Sequence, residues 1–159
     1  MMLAGIGPLV ARWARLYADH KAMSGGVTYL HLAGILLAGG FAVSADRAAL
    51  RWSPAAGSAE LQHALTVHRW VIAGLGLTLI SGVGMLLADL DTYLTSPVFW
   101  TKMGLVALLI GNGYLKLRAE AGLRDGGASA WPRLRRTAIA SIVLWFVVLL
   151  AGTVLTAST

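Results

Sequence analysis

The chain has 159 residues, of which 57% are hydrophobic and only 13% charged, with a formal net charge of +6 and no cysteine. A mean hydropathy of +0.71 lies far from the balance of a soluble domain, and the lack of cysteine excludes disulfides, thiolate metal centres and iron–sulfur clusters. The basic residues sit between apolar runs, so membrane topology and anionic lipid headgroups explain a pI near 10.3 better than nucleic acid does.

Residues 1–23 read as an amphipathic helix lying in the membrane interface. Leu9, Trp13, Leu16, Tyr17 and His20 fall on one side, and Arg12, Arg15 and Asp19 on the other. Pro8 interrupts the early apolar run and no small-residue cleavage site follows it, so the segment is expected to be retained rather than removed as a signal peptide. Ser24, Gly25 and Gly26 are expected to turn the chain into the first span.

Residues 24–159 predict an all-α, integral membrane four-helix bundle, with spans at about 25–46, 67–88, 98–117 and 138–157. Each run reaches the roughly 20 apolar residues, at about 1.5 Å rise apiece, that a bilayer crossing requires. Turn-rich SPAAGSAE joins the first two spans, with Ser58 placed to cap a helix. The short DLDTYLTSP joins the second and third, which are therefore expected to be antiparallel neighbours, with Pro97 in the first helical turn. RDGGASAWP and the basic RLRR precede the last span; cations there oppose the helix dipole, which points to topology and lipid as their reason. Small residues recur on one face of three spans: Gly34, Ala38, Ala42 and Ala45; Gly74, Thr78 and Gly82; Gly104, Ala107 and Gly111. Such rows let membrane helices approach closely.

Basic residues divide nine to four between the two ends of the bundle, the richer end holding Arg47, Arg51, Arg69 and the stretch from Lys116 to Arg136. The positive-inside rule then places both termini outside a bacterial cytoplasmic membrane.

Function is sought among the few polar groups inside the spans, because each costs several kcal/mol in hydrocarbon without a partner or a task. His31, Ser81, Lys102 and Thr153 fall in one layer in the outward third. A second group, Asp46, Arg47, His68, Arg69 and Asn112, lies at the basic end, where ion pairs between the first two spans and an interhelical amide bond are expected. His31 and His68 are about 15 to 20 Å apart along the axis by the helical rise, too far to hold one haem between them. A haem at His31 therefore takes Met85, Lys102 or an open position opposite. Copper is the weaker alternative. His20, Met23, His31 and Met103 all fall on the outward half and suit Cu(I), but no MxxM or HxH spacing concentrates them.

The order of motifs resembles a group of small bacterial membrane proteins. YLHLAGILLAGGFAVSADRAALR is similar to the first helix of the CopD-like and HemJ-like families, VHRWVIAGLGLTLISGVGMLL to the helix after it, and FWTKMGLVALLIGNGYLKL to their aromatic-x-Lys helix, together covering most of residues 29–157. In HemJ-like proteins, haem-b-binding enzymes that oxidise protoporphyrinogen, an early-helix His and the Lys of that helix are functional. The resemblance implies those roles for His31 and Lys102. Where those families carry a further His, this chain has Asn112 and Tyr114. CopD-like proteins are associated with copper uptake and have about twice as many helices. No nucleophile triad, nucleotide loop or carboxylate pair is present. Two readings follow: a haem b or metal-binding membrane protein, possibly redox, built on His31, Lys102, Ser81 and Met85; or a non-catalytic accessory subunit of a larger membrane assembly or homo-oligomer, in which His31 and Lys102 are structural and the amphipathic N-terminus docks a membrane-protein partner.

Overall fold

The computed structural model describes residues 3–51, 58–124 and 130–158. Six helices follow one another: α1 (Leu3–Asp19), α2 (Lys21–Arg51), α3 (Ser58–Ala88), α4 (Leu90–Thr95), α5 (Pro97–Arg124) and α6 (Trp131–Ser158). The protein is an all-α bundle in which α2, α3, α5 and α6 are each long and apolar enough to cross a membrane. Leu36, Ile72, Ile80 and Leu150 are each 64–76% exposed, an arrangement that water would disfavour and a bilayer satisfies. The two loop readings around residues 52–57 and 125–129 lie outside the described residues.

Helix starts follow from local chemistry. Asp89 Oδ1 accepts the Thr92 N–H at 3.2 Å and caps α4. Ser96 Oγ accepts the Phe99 N–H at 3.4 Å, and Pro97 takes the first position of α5, where its missing N–H is not needed. The turn from α1 into the first span is made at His20 and not at Ser24–Gly26. Those residues continue α2, with the Met23 and Ser24 N–H groups bonded to the His20 carbonyl at 2.9 and 3.1 Å and the Ser24 hydroxyl bonded to the Lys21 carbonyl. The helical hydrogen bonds of this first turn outweigh the turn tendency of the Gly pair.

Small-residue rows decide the packing of α2 on α3. A Cβ placed on Gly34 would lie 2.8 Å from the Thr78 nitrogen, and one on Gly74 would lie 2.5 Å from the Ala38 nitrogen, so the two backbones cross in contact. Helix α6 packs on both α2 and α5. Ala38, Leu109 and Trp145 fill the middle of that junction, and Ala49, Ala119, Leu134 and Ala138 its basic end. The spatial order is therefore α3, α2, α6, α5. Contrary to the expectation from the short connection, α3 and α5 are not packing neighbours among the described residues; each touches the intervening α4 instead. Both lean on the partner with which they share a close-packed face, and α4 spans the gap. The expected packing row of α5 is consequently unused: Gly104 and Gly111 face open space and Ala107 is exposed.

Helix α1 lies against α2 and α3 at the end opposite the basic one, beside Val27 and Gly84. The Trp13 indole N–H donates to the Gly84 carbonyl at 2.7 Å, which anchors the helix, while Leu9 and Leu16 remain exposed. Trp13 and Tyr17, and then Tyr93, Phe99 and Trp100, form two runs of ring contacts at this end. Aromatic residues with a polar handle are typical of the membrane–water boundary.

Candidate functional site

The Gly34–Gly74 crossing brings the His31 ring of α2 onto α3, beside Thr78, Ser81 and Gly82. His31 Nδ1 lies 3.0 Å from the Thr78 carbonyl and 3.1 Å from Ser81 Oγ. A carbonyl only accepts, and the Ser81 hydroxyl is committed as a donor to the Leu77 carbonyl at 2.6 Å. Both partners thus assign the proton to Nδ1 and leave the lone pair on Nε2. The carbonyl of a helical residue has a second lone pair to offer, which is why α3 can hold the ring without losing its own ladder. Gly82 supplies the room: a Cβ there would sit 3.1 Å from His31 Cε1.

Lys102 approaches from α5. Its ammonium lies over Gly152 of α6, 3.6 Å from where a Cβ would stand, and within Coulombic reach of the His31 ring. It is half-buried in a membrane-spanning helix, and among the described residues it has no hydrogen-bond partner and no counter-ion. Thr153, placed in the same layer by sequence, is exposed and bonds its own helix at the Leu149 carbonyl.

The other candidate ligands are distributed differently. Met85 is half-buried one turn beyond Ser81 on α3, and Met103 is 37% exposed next to Lys102. His20 sits exposed at the α1–α2 break with Nδ1 3.2 Å from the Leu16 carbonyl. Along the axis of α2, His20 and Met23 are about 16 Å and 12 Å from His31 by the helical rise, so neither joins it around one ion. Among the described residues no three His, Cys, Asp or Glu side chains gather as a metal site.

At the basic end the structure corrects the expected pairing. Asp46 is fully buried and accepts a charged hydrogen bond from Lys116 of α5, whose ammonium is also 4.0 Å from Glu120 Oε1. Arg47 and Arg69, expected to share in ion pairs between the first two spans, are exposed instead, and His68 is half-buried. The reason is helical phase: Asp46 points toward α5 and α6, and its neighbour, about 100° around the helix, points to the outside. Asp46 Oδ2 and the Glu120 carboxyl accept no hydrogen bond among the described residues. Asn112 makes the expected interhelical bond, donating from Nδ2 to the Thr137 carbonyl at 2.9 Å. Neither Lys116 nor Glu120 is among the site residues expected from the sequence. Their i, i+4 spacing, with an aspartate at the end of the first span, is the signal that points to them.

Comparison with family models, curated proteins and solved structures found no match to this chain.

Proposed function

We propose that this is a multi-pass protein of the bacterial cytoplasmic membrane, with both termini outside, that binds haem b in its outward polar layer. One observation carries the reading: an imidazole with its Nδ1 proton anchored and its Nε2 lone pair uncommitted stands within Coulombic reach of a membrane-embedded ammonium that has no counter-ion. A neutral imidazole held from behind by a carbonyl is the form in which histidine ligates iron. An unpaired cation inside a span is costly unless an anionic group meets it, and the haem propionates offer such a group. The donor set therefore fits. His31 would supply the nitrogen ligand, with Thr78 and Ser81 holding its tautomer; Met85, on α3 with those two, would offer a thioether, and Lys102 would meet a propionate. When bound, haem supplies one-electron chemistry; the protein's own residues bind, orient and balance its charge. The resemblance of His31 and Lys102 to the functional pair of HemJ-like proteins supports the same reading. Copper finds less support, since His20 and Met23 lie far from His31.

The absorption spectrum of protein expressed with ample haem and purified in mild detergent tests this directly. A Soret band that His31→Ala abolishes, and that Lys102→Met leaves in place but with faster loss of haem, is the expected outcome. A native protein carrying neither haem nor copper overturns it. The accessory-subunit reading then takes over, for which the unused face of Gly104, Ala107 and Gly111 is the supporting observation.

A further inference from the structure

At the opposite end of the bundle, residues of α5 and α6 line a groove of about 430 Å³. Leu115 and Ala119 give it an apolar wall, and Arg118, Arg133, Arg136 and Thr137 its polar rim. All three arginines are exposed. Among the described residues none has an acidic partner, because the nearby carboxylates Asp46 and Glu120 are turned inward onto Lys116. Arg118 also stands over the Tyr114 ring at 5.4 Å, a contact that leaves its charge unneutralised. Three positive charges thus converge on one concave surface without an anion of the protein's own.

Location narrows what meets them. Arg118 follows the uncharged apolar stretch of α5 that ends before Lys116, and Arg133 and Arg136 precede that of α6 beginning at Ala138, positions that suit the headgroup level of a bilayer with Leu115 on the acyl side. Two of the arginines also occupy the first turns of α6, where the helix dipole disfavours cations. Helix stability therefore does not account for them, whereas an anion bound between them offsets the cost. Guanidinium forks match phosphate oxygens two at a time. We propose that this groove is a specific binding site for an anionic phospholipid. Its phosphodiester is held by Arg118, Arg133 and Arg136, and its glycerol and upper acyl chain lie against Leu115 and Ala119. The proposal is independent of the haem reading, which concerns the other end of the bundle.

Native mass spectrometry of the delipidated full-length protein, titrated with phosphatidylglycerol or phosphatidylcholine in the same detergent, provides the test. Phosphatidylglycerol should bind at least about tenfold more tightly, and the double variant Arg133→Gln/Arg136→Gln should lose that preference while retaining the helical circular dichroism of the parent. Arg12→Gln/Arg15→Gln, which removes the same charge from α1, should keep it. Equal binding of the two lipids, or an equal loss in both double variants, overturns the site in favour of general charge attraction. Displacement of the lipid by inorganic phosphate at comparable concentration also overturns it, by identifying a soluble anion as the occupant.

Discussion

Replacing Gly74 with alanine tests whether backbone contact between α2 and α3 is what holds the His31 site together. The new methyl would lie 2.5 Å from the Ala38 nitrogen, 2.8 Å from the Gly34 carbonyl oxygen and 2.9 Å from the Ala38 methyl. None of these atoms is the tip of a flexible side chain, so relief requires the two helices to separate by about 1 Å to restore ordinary contact. Such overpacking costs about 1–3 kcal/mol. The same separation stretches the His31 bonds to Thr78 and Ser81, now 3.0 and 3.1 Å, toward about 4 Å, outside hydrogen-bond range. Interhelical bonds in a membrane average about 0.6 kcal/mol each, which brings the expected loss to about 2–4 kcal/mol. Gly76 and Gly104 have open space at the corresponding position, and their alanine variants should stay within about 0.5 kcal/mol of the parent. Unfolding by titration with sodium dodecyl sulfate in mixed micelles, followed by circular dichroism, measures all three. If Gly74→Ala is as stable as Gly76→Ala, the backbone crossing is not the element that fixes the site.

Lys116→Met strands two buried carboxylates and should cost about 3–5 kcal/mol, more than Asp46→Asn; the double variant Asp46→Asn/Lys116→Met, assayed in the same micelles, should recover part of the loss, and an additive loss would refute the pairing. Tyr93, in the connection between spans, has its phenol pKa raised above 10.0 by burial, then by Tyr17 and Asp89 nearby. A raised pKa means that the folded state favours the neutral phenol, so its contribution to stability is complete below about pH 10 and is lost as pH rises through the folded-state value. Ultraviolet titration should show a late tyrosinate component that Tyr93→Phe removes; an unchanged titration curve would contradict the burial.

The membrane class and the four helices long and apolar enough to cross a bilayer were legible in the sequence because each depends on local quantities. Run length, the helical rise and the 3.6-residue period act on neighbouring residues, and hydrocarbon leaves backbone groups no alternative to a helix. Pro97 likewise announces the start of α5 by its own chemistry, while the Ser96 cap beside it was read only from the structure. Which helices touch was not legible. The short connection between the second and third spans suggested direct packing, yet the small residues of α2 lock onto α3 while Trp145, Leu109 and Ala38 draw α6 between α2 and α5. Partner choice depended on the same distinction. Asp46 and Arg47 are adjacent in sequence, and only the angular phase of α2 within the bundle turned one toward Lys116 and the other outward. The sequence by itself determined where each polar group lies along its helix, since axial position is residue count multiplied by rise. Tertiary structure decided which way each points, because azimuth is set by the neighbour that accepts a close backbone, and that neighbour lies tens of residues away in the chain.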